Sequence, residues 1–129
     1  MLYDLTELQR DANKRFGLSA KETLNIMQRL YENHKVLTYP RTDSRYIGTD
    51  IVPTIKERLK ACNIGPYKKY IPELLKKPVK TSKAFVDDKK VSDHHAIIPT
   101  EEYVQMEHMS NNERKIYDLV VRRFISVLY

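Results

Sequence analysis

The chain is poor in the residues that mark disulfide scaffolds, nucleotide-binding loops and membrane spans. Of its 129 residues, one is cysteine, three are glycine and none is tryptophan. The single cysteine, Cys62, excludes an internal disulfide and a cysteine-based zinc cluster within this segment. The three glycines do not form the Gly-x-x-x-x-Gly-Lys loop of nucleotide hydrolases. No apolar run approaches the ~18 residues needed to cross a bilayer, so we expect a cytoplasmic protein without a membrane partner.

The composition is that of one ordinary globular domain. Apolar residues make up 41% of the chain and charged residues 31%, which suffices for a buried core at about the length of one domain. We therefore expect a single domain over residues 1–129, with no internal repeat and no low-complexity linker.

Positive charge is concentrated in one stretch. The net charge is +6, but residues 56–90 alone carry 11 Lys or Arg against 4 Asp or Glu, a net of +7. Clustered cations bind a phosphate backbone through counterion release, and the interleaved Tyr67 and Tyr70 offer stacking surfaces for unpaired bases. A solvated, lysine-rich surface explains this stretch equally well when it is taken alone.

Capping signatures predict three long helices. In each, a capping residue is followed three positions later by glutamate, namely Asp4 with Glu7, Ser19 with Glu22, and Ser110 with Glu113. Gly17 is expected to end the first helix, and the second should end near Asn33. These two helices, joined by three residues, have a helix-turn-helix pattern.

The remaining segments predict shorter elements. A strand at residues 36–38 precedes Tyr39, and a helix from about residue 50 ends near Cys62. A second short helix spans residues 67–77, where Pro72 is a possible break. Residues 78–91 lack a helical period and are expected to form a loop or hairpin. The fold class is therefore mainly α with a few short β-strands.

The segment around Tyr39 has the residues needed to attack a phosphate. Pro40 favours an extended backbone at Tyr39, and in an extended segment the side chains of Tyr39 and Arg41 project to the same side. A tyrosine hydroxyl is a weak nucleophile at neutral pH until a cation or base stabilises its phenolate, and arginine matches phosphate oxygens bidentately. The residue chemistry alone favours a simpler interpretation, a proline turn in which Asp43 or Ser44 caps the next helix.

Three blocks of sequence resemble type IA DNA topoisomerases. The segment Leu37–Tyr46, with sequence LTYPRTDSRY, resembles the active-site tyrosine segment of that family. Upstream, residues 5–13, 16–21 and 30–32 are similar to what precedes this tyrosine, and Asp93–Thr100 resembles the histidine motif that follows it. Pro40 and the paired histidines resemble the topoisomerase III branch more than topoisomerase I, where a methionine and a His-Glu pair are common.

The resemblance implies roles for individual residues. Tyr39 is expected to be the nucleophile, with Arg41 holding the attacked phosphate. The adjacent His94 and His95 should point to opposite sides of an extended segment, and His94 falls where the family places a catalytic histidine. Residues expected to contact DNA are Thr42, Arg45, Lys56, Lys60, Lys68 and Lys69.

The resemblance also implies an activity and its cofactor. Type IA enzymes change DNA topology without ATP, by cleaving and rejoining single-stranded DNA through a 5′-phosphotyrosine intermediate. Their acidic magnesium-linked residues belong to a different domain. We therefore expect a helix-turn-helix or winged-helix-like, tyrosine-bearing domain excised from a larger topoisomerase. It should hold no metal, contact other domains of the same polypeptide and be inactive alone, and the sequence indicates no particular protein partner.

Two other classes of protein remain open. A non-catalytic helix-turn-helix or winged-helix DNA-binding module explains the first two helices and the basic stretch, but not the Tyr-Pro-Arg segment and the histidines. A different tyrosine nuclease or recombinase explains Tyr39. Metal-dependent replication initiators, however, place one apolar residue between two histidines so that both face the ion, and His94 and His95 lack that spacing.

Overall fold

The computed structural model describes all residues 1–129 and contains five α-helices. They are α1 (Leu5–Phe16), α2 (Ala20–Glu32), α3 (Ile55–Ala61), α4 (Ile71–Lys76) and α5 (Asn111–Leu128). Four short 3₁₀ helices lie between them, at Val52–Thr54, Gly65–Lys69, Asp88–Lys90 and Met106–His108. The predicted fold class, mainly α with little β-structure, is confirmed. No helix has both the length and the apolar character needed to cross a membrane.

The caps predicted from sequence form at all three long helices. Asp4 accepts a hydrogen bond from the Glu7 amide and begins α1, while Ser19 and Ser110 form complete capping boxes at α2 and α5. Gly17 ends α1 in the left-handed conformation, with φ of 70°, which glycine adopts without steric cost. The chain then reverses over three residues into α2, so α1 and α2 form the expected helix-turn-helix pair.

The core lies between the long helices. α1, α2 and α5 pack against one another, and 30 buried residues form one hydrophobic cluster. The apolar stripe of α5 includes Ile116, Val120 and Phe124, which are at most 1% exposed. Cys62 is buried at the end of α3, and burial raises the pKa of its thiol to about 12, so it is a packing residue.

The strands reduce to isolated bridges. The expected strand at residues 36–38 forms only the antiparallel bridge between Leu37 and Pro99, and the other bridges join Tyr3 to Ile97 and Ile47 to Val86. The predicted break at Pro72 falls two residues earlier, at Tyr70, since a proline is compatible with the first turn of α4. The loop expected at 78–91 contains a 3₁₀ turn that Asp87 caps.

Two non-helical segments meet beside the helical core. We call residues 37–46 the tyrosine segment and residues 93–100 the histidine segment. The Thr38 amide donates to the Ile98 carbonyl at 3.1 Å, and the Ala96 amide donates to the Tyr46 carbonyl at 2.9 Å. These bonds place the histidine segment between the two ends of the tyrosine segment.

Candidate active site

The side chain of Tyr39 lies between two aromatic rings. The imidazole of His94 stacks on its phenol ring with 4.2 Å between ring centroids and 29° between ring planes. The ring of Tyr31, from the last turn of α2, meets it edge to face at 5.5 Å. Tyr39 is half-buried, so its ring is held on two sides while the hydroxyl remains accessible.

Tyr39 differs from several other tyrosines in having a free hydroxyl. Tyr3 donates to Asp11 at 2.6 Å, Tyr67 to Asp118 at 2.8 Å and Tyr129 to the Tyr70 carbonyl at 3.4 Å. The hydroxyl of Tyr39 has no such partner within the chain. It is therefore available to a ligand.

A polar cleft of about 240 Å³ contains Tyr39. Its lining includes Thr38, Gly48, Asp50, Val91, Asp93, His94 and His95. Gly48 is buried and closely packed, since a Cβ at that position would lie 2.5 Å from Oδ1 of Asp50 and 2.8 Å from Oδ1 of Asp88. A side chain at position 48 would therefore displace both carboxylates.

Arg41 lines a second cleft that adjoins the first. That cleft, of about 430 Å³, contains Arg41 and shares Asp93 and His94 with the first. The expectation that Tyr39 and Arg41 project to the same side assumed an extended backbone. The chain instead bends at Pro40, where the Thr42 amide donates to the Pro40 carbonyl at 3.0 Å. Arg41 is exposed, and its guanidinium forms no ion pair within the chain.

Both histidines line the Tyr39 cleft, although opposite orientations were expected. The backbone bends at Asp93 and His94, so the alternation of an extended strand does not hold there. Only His94 contacts the Tyr39 ring. Nδ1 of His95 lies 2.7 Å from the Ala96 carbonyl oxygen, which requires the hydrogen of that ring to be on Nδ1.

The stacking geometry limits what His94 can do. The N–H bonds of an imidazole lie in its ring plane, and this plane runs within 29° of the Tyr39 ring plane at a centroid distance of 4.2 Å. A linear hydrogen bond from His94 to the Tyr39 hydroxyl does not fit this arrangement. His94 lines both clefts, where a ligand phosphate can meet its imidazole.

The residues predicted to contact DNA have different surroundings. Thr42 is buried and donates to the His94 carbonyl at 3.2 Å. Arg45 forms ion pairs with Asp4 at 3.2 Å and Glu7 at 3.5 Å, and Lys60 pairs with Glu57 at 3.1 Å. Lys56 is half-buried, and Lys68 and Lys69 are exposed. None of the four lysines, at positions 56, 60, 68 and 69, lines either cleft.

Sequence reasoning missed a buried arginine behind the histidine segment. Arg58, 9% exposed, donates to the Pro99 carbonyl and to the Thr54 hydroxyl, both at 2.9 Å. Burial lowers the pKa of its guanidinium, against the opposing effect of the Glu101 and Asp50 carboxylates. A sequence signal was present in its position, because Arg58 lies one turn from Ile55 and beside Leu59, on the buried side of α3.

The clefts do not form a metal centre. No three His, Cys, Asp or Glu side chains of the chain converge on a point where they could hold an ion. Asp50 and Asp93 line the Tyr39 cleft, but magnesium favours a near-octahedral set of oxygen ligands. The residues present do not fit a magnesium site.

Known sequences place this site in a family. The sequence matches the family described as DNA topoisomerase over residues 1–129, and the chain belongs to that family. Together with the topoisomerase 3 relatives described next, this match confirms the resemblance to type IA enzymes of the topoisomerase III branch.

Individual relatives show which DNA topoisomerases the chain is similar to. The chain is 70% identical over 128 residues to DNA topoisomerase 3 of Bacillus cereus, covering 99% of this chain and 18% of that protein. It is 61% identical over 127 residues to DNA topoisomerase 3 of Bacillus licheniformis and 59% identical over 127 residues to that of Bacillus subtilis. For these two, the match covers 98% of this chain and again 18% of the relative. The chain thus spans less than a fifth of the length of these relatives.

Proposed function

We propose that this chain is the nucleophile-bearing domain of an ATP-independent type IA DNA topoisomerase that acts in the cytoplasm. The observation that carries the proposal is the environment of Tyr39. Its hydroxyl is unpaired at a polar cleft, its ring is stacked on His94 at 4.2 Å, and an exposed arginine lies in the adjoining cleft. A DNA-binding module without catalysis has no use for this arrangement.

The reaction that fits is reversible transfer of a DNA phosphate to Tyr39. The phenol oxygen attacks a backbone phosphorus and releases its proton, the bond from phosphorus to the 3′ oxygen breaks, and that oxygen takes up a proton. The 5′ phosphate side of the break is then held as a phosphotyrosine ester. One phosphodiester replaces another of similar energy, so the freed 3′ hydroxyl can reverse the step without an external energy source.

Arg41 and His94 act on the phosphate in this proposal. His94 lines both clefts. A phosphate attacked by Tyr39 can therefore lie between the side chains of Arg41 and His94. Arg41 opposes the negative charge that develops at phosphorus. His94 donates a hydrogen bond to a phosphate oxygen, since its geometry does not suit it as the base for Tyr39.

DNA substrate and magnesium are part of the proposal. We assign single-stranded DNA as the substrate because the resemblance to type IA enzymes implies an unpaired strand, and the exposed Lys68 and Lys69 add attraction for phosphate. Magnesium, where the intact enzyme uses it, belongs to residues outside 1–129, because the residues of this chain do not fit the ion. Contacts to other domains of the same polypeptide complete the site.

Covalent trapping tests the proposal directly. A full-length topoisomerase carrying this sequence is incubated with labelled single-stranded DNA, denatured and digested with trypsin. Cleavage after Lys35 and Arg41 releases residues 36–41, a peptide whose only tyrosine is Tyr39. We expect the label on this peptide. Label on the peptide that contains Tyr31 or Tyr46, or no label at all, would contradict the proposal.

The isolated chain provides a second test. We expect it to bind single-stranded DNA weakly, with an affinity that falls steeply with salt because of the +7 charge of residues 56–90. We expect no cleavage with or without magnesium, because phosphate transfer depends on positioning by groups outside this chain. A labelled, denaturation-resistant protein band would show that the site is self-sufficient.

A further inference from the structure

The hydroxyls of Thr38 and Thr42 join the tyrosine segment to the histidine segment on either side of Tyr39. Oγ1 of Thr38 donates to the Ala96 carbonyl at 3.4 Å and accepts from the Ile98 amide at 3.0 Å. Oγ1 of Thr42 donates to the His94 carbonyl at 3.2 Å and accepts from the Ser44 amide at 3.1 Å. On either side of Tyr39, the two segments are thus joined by bonds from threonine hydroxyls to main-chain groups.

Thr42 has its hydrogen-bonding groups engaged within the protein. Its amide donates to Pro40, its carbonyl accepts from the Leu5 amide at 3.0 Å, and its hydroxyl hydrogen is directed at the His94 carbonyl. The side chain is 7% exposed. Its hydroxyl is therefore committed to the protein backbone. Thr42 also lines the Arg41 cleft, and its contact with DNA stays a prediction.

The bond from Thr42 is the hydrogen bond that fixes the backbone of His94 to the tyrosine segment. The imidazole itself is exposed and is held only by its stacking on Tyr39 and by the position of its backbone. A shift of the His94 carbonyl would move the ring off the phenol, because the ring is two bonds from the backbone.

We propose that Thr42 is a positioning residue, which holds His94 stacked on Tyr39 so that the imidazole meets the phosphate of the cleavage step. The catalytic part rests on the proposed function of Tyr39, whereas the structural part does not. Thr38 anchors the next residues of the histidine segment and has the smaller influence, since it bonds Ala96 and Ile98 and not His94.

The stack can be measured in the 129-residue chain without any activity. The ring protons of His94 lie over the Tyr39 ring and should have upfield-shifted NMR resonances. Thr42→Val removes the hydroxyl and keeps the shape, so we expect this upfield shift to fall by more than half. Thr42→Ser keeps the hydroxyl and should preserve it. Thr23→Val is a matched control, because Thr23 is fully buried and its hydroxyl has no partner, and it should leave the shift unchanged.

Cleavage by the full-length protein tests the catalytic part. We expect Thr42→Val to lower the cleavage rate at saturating DNA at least ~10-fold with less than ~2-fold change in affinity for the strand, and Thr42→Ser to restore the rate. An unchanged His94 shift in Thr42→Val would overturn the proposal. So would a normal cleavage rate in a variant that has lost the stack.

Two further outcomes are decisive. If Thr42→Val does not fold, Thr42→Ser decides alone, because loss of the His94 shift in Ser would show that the methyl group and not the hydroxyl positions the ring. If the wild-type enzyme formed no adduct at Tyr39 while the NMR results held, the proposed function would fail and the structural role of Thr42 would stand.

Discussion

The helical core and the loop-built cleft use the same residue type in opposite ways. In the core, Tyr67 and Tyr117 are fully buried, and burial raises the pKa of both phenols far above the ordinary value. Tyr67 also donates to Asp118, so its proton is committed. Tyr39 lies where regular structure ends, with its ring held and its hydroxyl free. The same side chain thus serves packing where its phenol is buried, and is available to a ligand where its phenol lies at a polar cleft.

Replacing Tyr39 or Tyr67 with phenylalanine should give the largest difference in cleavage between two variants. We expect Tyr39→Phe in the full-length enzyme to lose covalent adduct formation entirely and to bind the strand normally, because only the attacking oxygen is removed. Tyr67→Phe should keep the adduct and lower the free energy of unfolding by about 1 kcal/mol, since Asp118 loses a donor but keeps Arg122 at 2.9 Å. Adduct trapping and chemical denaturation check the pair. A Phe variant at position 39 that still traps DNA would show that Tyr39 is not the nucleophile.

Arg41→Lys should be the next largest effect. Lysine keeps the charge but loses the planar, two-pronged hold on phosphate, so we expect the cleavage rate to fall roughly 10²- to 10³-fold. Arg10→Lys is the control, because Arg10 is exposed on α1 and pairs only with Glu7. Rapid-quench cleavage of a labelled strand measures both variants. A wild-type rate in Arg41→Lys would mean that this arginine only positions the backbone.

The two histidines should differ, although both line the cleft. His94→Ala removes a hydrogen-bond donor to the phosphate, and we expect a loss of about 10²-fold in cleavage or rejoining. His95→Ala should cost much less, because His95 bonds its own neighbouring carbonyl. His108→Ala, at an exposed position, controls for removal of an imidazole. Equal losses in the two variants would contradict the assignment of the phosphate contact to His94 alone. No loss in either variant would show that neither histidine takes part in cleavage.

A change in the core should affect stability and leave cleavage unaffected. The side chain of Glu113, in α5, is 8% exposed. Burial acts to raise the pKa of its carboxyl, but the Ser110 amide, Arg29 and His34 outweigh it and hold the pKa below the ordinary 4.5. Because the pKa of Glu113 is lower in the folded state than in the unfolded chain, its carboxylate stabilises the fold at pH values above 4.5. This stabilisation is lost as the pH falls through the folded-state pKa.

Glu113→Gln tests this account. We expect it to lower the free energy of unfolding at neutral pH by about 1 to 2 kcal/mol, because the neutral amide keeps the capping bond to Ser110 but loses the charged pairing with Arg29 and His34. It should also flatten the decline in stability below the ordinary pKa of 4.5. Denaturant titrations at pH 7 and at about pH 3 measure both effects. Glu107→Gln, at an exposed position, is the control. A parallel pH dependence in wild type and Glu113→Gln would contradict the assignment.

The predictability of the molecule follows the same division between core and cleft. Helix starts depend on residues three positions apart, so Asp4, Ser19 and Ser110 were sufficient to place α1, α2 and α5. The positions of Tyr39 and His94 near each other followed from resemblance alone, because 55 residues separate them in the chain. Their stacking could not be predicted, since it depends on where two irregular segments bend.

The errors in the cleft have a common cause. Periodicity arguments assume regular backbone, and the turns at Pro40 and at Asp93 interrupt it, which moved Arg41 into a second cleft and brought His95 into the first. The buried hydrogen bonds of Thr42 and Arg58 could not be predicted for a related reason. A polar side chain is expected at the surface unless its buried partners are known, and the partners of these two, the carbonyls of His94 and Pro99, lie 52 and 41 positions away in the chain.

The first five residues of the chain are tied to both halves of the site, which gives the molecule a mechanical property. The carbonyl of Tyr3 accepts from the Ile97 amide at 2.9 Å, and the Leu5 amide donates to the Thr42 carbonyl at 3.0 Å. A tension applied along residues 1–5 is therefore transmitted to the histidine segment through one bond and to the tyrosine segment through the other. The same residues are tied to α5, because Arg123 donates to the Met1 carbonyl at 2.9 Å, so the chain start links both segments of the site to the helical core.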